Sequence, residues 1–346
     1  MKLIEKIPMP KDMEKSEILQ LLLQEEYGFL PQAPISVRGE VKECDEYFCA
    51  GKAVLKKISL ECKIEQGCFS FPVYFTCPTK IEKPLPCFIL INFRDMVPDQ
   101  YLPAEEIVDA GYAVLSFCYT DVTSDDGDFT NGLAGLVYQD SKRTQNQCGK
   151  IGLWAWSMLR VMDYALTLSE IDASCISVVG HSRLGKTALL AGALDERIYC
   201  AFSNDSGCSG AALSRDNDGE TIRRIYEAFP HWFCENYAKY VDNEEALPFD
   251  QHYLLAANAP HRVYVASAAD DWWANPKNEY LSCVAANRFF KEQGLSGFVH
   301  PNRLPKVGEF LGEGHIGYHM RSGKHYLSRE DWKYFMVYLE QHRGKM

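Results

Sequence analysis

A chain of 346 residues, 47% hydrophobic and 24% charged, has the make-up of an ordinary globular protein, enough for one large α/β domain or two modest ones. Its net charge of −11 argues against a nucleic-acid-binding surface, and no stretch is long and apolar enough to span a bilayer as a helix. Thirteen cysteines without a CxxC pair argue against a zinc site and suit buried thiols in a reducing compartment.

The N-terminal MKLIEKIPMPKDMEKSEILQ has neither an apolar h-region nor a small-residue cleavage site, so the expected location is cytoplasmic. Residues 11 to 27 carry a helical pattern through Ile18, Leu19, Leu22 and Leu23. From Val41 to Phe75 the chain alternates like antiparallel strands, at Ala53–Leu55, Ile58–Leu60 and Phe69–Phe75, with Gly67 at a turn. Cys87 to Ile91 is a continuous apolar run, as expected of a strand buried on both faces. A short helix at 105–109 and a buried strand at 111–119 come next. The acidic loop Asp121–Asp128 lacks the spacing of a calcium loop and reads as solvated.

A helix at 153–168 leads to a strand and turn around residue 180, then a strand at Tyr199–Phe202 and a long excursion from Cys208 to Pro248. Strand 262–266 and helices at 284–293 and 329–341 complete the chain. This rhythm predicts a mostly parallel sheet covered by helices on both faces. The antiparallel strands that precede it are what α/β-hydrolases place before their parallel core. The expected organisation is a single domain over 1–346, with an N-terminal extension to about residue 40 and a cap-like insertion over about 208–248.

The most informative stretch is Cys175–Leu190, CISVVGHSRLGKTALL. A β-branched run, a tight turn and a row of helix formers predict strand, turn and helix. As a nucleophile elbow, the turn holds Ser182 at its tip and aims the Arg183 amide where an oxyanion would form. The usual glycine two residues after the serine is Leu184 here, with Gly185 following. The same letters, Gly180-x4-Gly185-Lys186-Thr187, also fit a P-loop, and Val263–Ala266 followed by Asp270 and Asp271 could pass for its second motif.

Against the nucleotide reading, the residues between the glycines are His, Ser, Arg and Leu, whereas phosphate-cradling loops are richer in glycine. A serine hydrolase needs an acid and then a histidine downstream. Asp205, in Ser203–Gly207, and Asp270 or Asp271, in Ala268–Trp273, follow successive strands, and His325 precedes the last helix. The carboxylate would hold one imidazole tautomer and stabilise the imidazolium. His315 and His319 read as structural histidines. Trp232 and Tyr237 serve equally well as sugar platforms or as core, and Asp250 suits a helix cap.

Several blocks in order resemble carbohydrate esterase family 15, the glucuronoyl esterases, especially its bacterial members. They are Gly180–Lys186, Asn204–Cys208, Phe229–Phe233, Leu247–His252, Ala259-Pro260, Asp271-Trp272, Gly323–His325 and Asp331-Trp332. The resemblance spans about 150 to 335. It implies an α/β-hydrolase that cleaves the ester between glucuronate on xylan and lignin alcohols, without metal or organic cofactor. It also implies Ser182 as nucleophile, His325 as general base, and Asp205 as the favoured acid with Asp271 second. The Arg183 side chain would face the oxyanion, while Lys186 and Trp272 or Trp273 would contact the sugar. A role for Arg183 at the oxyanion agrees with the loop Asn92–Met96, which lacks the glycines of the usual second donor. For the Gln and Glu of the fungal enzymes, no counterpart is identified between Thr221 and His231. The expected partner is a small carbohydrate ester; acetyl or aromatic-acid esters of oligosaccharides are the alternatives.

Overall fold

Cys87 to Ile91 buries both of its faces: Ile89 and Ile91 enter one hydrophobic core and Phe88 and Leu90 the other. At about 2 kcal/mol for each large side chain fully buried, such a run sits at the centre of a sheet rather than at its edge. The structure is a computed structural model that describes residues 7–8, 13–138 and 143–344. Its strands are β1 (Ser36–Tyr47), β2 (Ala53–Ile64), β3 (Gly67–Pro78), β4 (Leu85–Asn92), β5 (Ala113–Cys118), β6 (Ile171–His181), β7 (Cys200–Asn204), β8 (Arg262–Ala268), β9 (Glu309–Leu311) and β10 (Ile316–Arg321). They form one sheet in the order β1-β2-β3-β5-β4-β6-β7-β8-β10-β9.

β1, β2 and β3 pair antiparallel, and β5, β4, β6, β7, β8 and β10 form the parallel body. All six parallel strands therefore end at one rim, where His181 is level with Asn204 and Ala268 with Arg321. The α/β-hydrolase architecture expected from the strand and helix rhythm is the one found.

Some elements differ from the sequence reading for physical reasons. β2 is continuous across Lys56 and Lys57; Lys56 pairs with Glu170 at 3.2 Å and lies over the Phe75 ring. β9 and β10 carried no expectation. In β10 the alternate positions His319 and Arg321 are polar, yet both are buried against Asp331. The helix expected at 284–293 begins at Pro276, where the Asn275 side chain accepts from the Asn278 amide at 3.1 Å.

The excursion between β7 and β8 folds over the rim through two short helices, Ile222–Ala228 and His252–Ala256, and turns such as Pro230–Trp232. Tyr237 is fully buried there, with its hydroxyl 2.8 Å from Ser209 Oγ, which makes it core and not a sugar platform. Asp250 does not cap the helix His252–Ala256, whose N-cap is Gln251 with no side-chain cap. It is buried, accepts from the Ser214 and Gln251 amides, and pairs with Arg215 at 3.1 Å.

Candidate active site

The elbow is built from its smallest residues outward. A Cβ on Gly180 would stand 1.9 Å from the Leu184 carbonyl oxygen, so the strand end and the first helical turn approach each other only because that side chain is absent. The close approach tips Ser182 into φ 57°, ψ −128°, a conformation that non-glycine residues rarely adopt. The helix Arg183–Leu194 starts directly behind it. Its first amides lack intrahelical acceptors and point toward the rim.

The histidine arrives from β10. His325 Nδ1 lies 2.6 Å from Asp271 Oδ2, and the other carboxylate oxygen of Asp271 accepts from the Ala274 amide at 3.2 Å. Asp205, favoured by the sequence reading, faces the same group but is engaged elsewhere. It accepts from the Ala268 amide at 2.7 Å, the Tyr326 amide at 3.3 Å and the Arg321 guanidinium at 3.3 Å. Asp270 is exposed, and its amide donates to the Gly323 carbonyl. The contact to the imidazole is therefore made by Asp271.

Ligating atoms of Asp205, Asp271 and His325 fall within 4.8 Å of one another. With Asp205 committed to three N–H donors, an ion there would find two ligands, short of the three or four a zinc site uses. On the other flank, His181 is buried with its ring 4.5 Å from that of His325 and its Nδ1 2.6 Å from Asn204 Oδ1. Burial, and then the neighbouring His325, push it down to about 3, so it stays neutral.

Arg183 is fixed from an unexpected side. The loop Asp121–Asp128, read as solvated, folds around the Lys150 ammonium, which donates to Thr123 Oγ1 at 2.8 Å and to the Asp128 carbonyl at 2.6 Å. The loop thereby turns Asp125 inward to bond the Arg183 guanidinium, Trp232 Nε1 at 2.6 Å and His231 Nε2 at 3.1 Å. Burial alone would raise the Asp125 carboxyl; the bonds from His231 and Trp232 and the Arg183 charge outweigh it and bring it to about 2. The guanidinium lies 4.6 Å over the Trp232 ring, and its Nε is buried without a hydrogen-bond partner. Nearby, the Phe93 amide, which follows β4 at the rim, is taken by Asn92 Oδ1 at 2.8 Å.

Ser182, Arg183, Asp271 and His325 open into one cavity of about 550 Å³, walled by Phe229, Trp232, Trp273, Lys186 and Glu220. Lys186 is buried and donates to the carbonyls of Ser206 and Cys208, with Glu220 at 3.5 Å. That arrangement removes the P-loop reading, because the lysine is spent on carbonyls. The Thr187 hydroxyl, which such a loop would offer to a metal, donates to the Arg183 carbonyl at 3.2 Å.

Trp273 also donates from Nε1 to Glu220 Oε1 at 3.1 Å, whereas Trp272 is 67% exposed and outside the cavity wall. Glu220, like Asp125, is a site residue without a signal in the sequence. It stands just before Thr221, at the end of the polar loop Asp216-Asn217-Asp218-Gly219, where nothing marks one carboxylate as buried.

Six parallel strands that deliver their loops to one rim, led in by antiparallel ones, are the architecture of the α/β-hydrolases, and this chain is one of them. Residues 60–294 match the family model described as glucuronyl esterase of fungi, and the chain belongs to the glucuronoyl esterase family. It is 40% identical over 245 residues to carbohydrate esterase MZ0003 of an unidentified prokaryote, an alignment covering 69% of this chain and 55% of that protein. Over 285 residues it is 30% identical to a 4-O-methyl-glucuronoyl methylesterase of Podospora anserina, covering 79% and 54%. The chain thus spans about half the length of these curated relatives. A solved glucuronoyl esterase from Solibacter usitatus superposes with a TM-score of 0.89 at 30% identity, over 97% of this chain and 93% of that one.

Proposed function

We propose that this chain is a glucuronoyl esterase: a serine carboxylic-ester hydrolase acting on esters of glucuronate, including its 4-O-methyl form, on plant-derived oligosaccharides. The observation that carries the reading is the 2.6 Å contact of His325 with Asp271 in the cavity that Ser182 opens into from its strained turn. Ser182 Oγ attacks the ester carbonyl and passes its proton to His325 Nε2, while Asp271 holds the Nδ1–H and stabilises the imidazolium. The Arg183 amide and the accessible part of its guanidinium take the developing oxyanion. The occupied Phe93 amide supports this, since the usual second donor is absent, and one such donor is worth roughly 10²–10³ in rate. His325 then protonates the departing alcohol, and water, activated by the same imidazole, releases the acid.

Glu220 and Trp273 form the sugar side of the cavity, with a carboxylate for hydroxyl groups and an aromatic face for the ring, and Lys186 holds Glu220 in place from behind. Trp232 takes part through Arg183, which it supports from below. A cytoplasmic site of action, with short oligosaccharide esters as substrates, is supported by thirteen cysteines that all stand as free thiols. The test is hydrolysis of benzyl glucuronate, with p-nitrophenyl acetate as the simple ester. Wild type turns over both and Ser182→Ala neither; equal rates in the two proteins would take the serine out of the reaction.

A further inference from the structure

The turn that carries His325 has little of its own to hold it. Residues 322 to 326 form no helix or strand, contain a glycine and a lysine, and lie at the surface, and the His325 side chain is 41% exposed. A general base must nevertheless stay within a fraction of an ångström of its productive place, because a shift of about 1 Å costs on the order of 10²-fold in rate. Apart from the Asp270 amide on the Gly323 carbonyl, what fixes the turn lies beneath it. Arg321, the last residue of β10, is buried and directs its guanidinium up into the turn.

Nη1 donates to the Ser322 carbonyl at 2.9 Å and the Lys324 carbonyl at 3.2 Å. Nη2 donates to the Lys324 carbonyl at 3.2 Å and to the Tyr326 carbonyl. Three alternate carbonyls that bracket His325 therefore converge on one planar cation, a geometry that a fork of five N–H groups can satisfy and an ammonium cannot.

The same guanidinium is tied to rigid structure on its other edges. Nε donates to both oxygens of Asp331, at 2.9 and 3.1 Å, and Asp331 also caps the C-terminal helix and bonds His319 at 2.8 Å. Nη2 also reaches Asp205 Oδ2, and Asp205 in turn accepts from the Tyr326 amide and from the end of β8. We infer that Arg321 is the positioning residue of this site: anchored between Asp205 and Asp331, it holds the 322–326 backbone so that the His325 imidazole faces both Asp271 and Ser182. Asp205 serves that anchorage and Asp271 orients the imidazole, which gives the two nearby carboxylates separate tasks.

The inference rests on the reading of His325 as the proton carrier, and the experiment separates the two. Arg321→Lys keeps a positive charge between Asp205 and Asp331 and so guards the fold, but cannot grip three carbonyls. With circular dichroism and Tm reporting an intact fold, kcat on benzyl glucuronate should fall about 10²-fold with KM nearly unchanged. Labelling of Ser182 by a fluorophosphonate should slow in step. In Arg321→Ala, millimolar guanidinium, well below denaturing strength, should restore kcat at least about tenfold, while His325→Ala should not respond.

A folded Arg321→Lys with wild-type kcat, or a loss confined to KM, overturns the inference. So does an inactive but folded Arg321→Ala that guanidinium leaves unchanged. If Arg321→Ala does not fold, Arg321→Lys decides alone. Wild-type activity in His325→Ala would instead overturn the reading of His325, whatever Arg321 does.

Discussion

Replacing Asp271 by Asn separates orientation of the imidazole from everything else at the site. In the wild type Oδ1 accepts from the Ala274 amide at 3.2 Å and Oδ2 faces His325 Nδ1 at 2.6 Å. An asparagine can satisfy both neighbours in only one way. Its oxygen must stay on the Ala274 amide, which leaves its NH2 facing Nδ1. That nitrogen must then be bare, so the imidazole proton sits on Nε2, the atom that has to receive the serine proton.

The wrong tautomer costs on the order of 10⁴ in kcat, or about 5.5 kcal/mol of barrier, with the fold undisturbed. Asp205→Asn keeps an acceptor for the Ala268 amide and weakens only the hold on Arg321 and Tyr326, so it should lose about 10- to 10²-fold. The assay is steady-state hydrolysis of benzyl glucuronate by both variants, with Tm measured alongside. Asp271→Asn within tenfold of wild type, or Asp205→Asn the more damaged of the two, would refute the assignment.

Glu220→Gln should raise KM for benzyl glucuronate about tenfold or more while leaving p-nitrophenyl acetate turnover alone, since a charge-assisted bond to a sugar hydroxyl is worth about 1.5–3 kcal/mol; the ratio of kcat/KM on the two esters reads this directly. Glu26 is fully buried, and burial, only partly opposed by the Gln251 bond, raises it from 4.5 to about 7. The folded state then keeps a proton that the unfolded chain has lost, so stability falls as pH rises through that window. Glu26→Gln removes this dependence and should gain up to ~3 kcal/mol over wild type in urea unfolding near pH 8 and little near pH 4; equal gains at both would contradict it.

The parallel body was legible because its signals are local. The run 87–91, the strand before residue 180 and the helix formers after it each carry their own periodicity. The elbow was legible only as two competing patterns, because regular expressions record letters and not where a lysine points. The deciding contacts are the Leu184 carbonyl against Gly180 and the Ser206 and Cys208 carbonyls on Lys186. Neither contact has a one-dimensional signature, since one is a void and the other a pair of backbone oxygens contributed from beyond β7.

What escaped the sequence has a common physical cause. β10, Asp125, Glu220 and the division between Asp205 and Asp271 all depend on polar side chains that are buried, or nearly so, because they are paired. A hydrophobic pattern reports burial only of residues that need no partner; a charged residue reads as solvent-facing until its partner is known. Asp331, ten residues after Arg321, and Trp232, 107 residues after Asp125, are such partners. The choice between the two acids shows how far this reaches. Both aspartates follow adjacent parallel strands that end at the same rim, so spacing cannot separate them. Asp205 is turned aside by an arginine on a strand whose polarity hid it, which frees Asp271 for the imidazole.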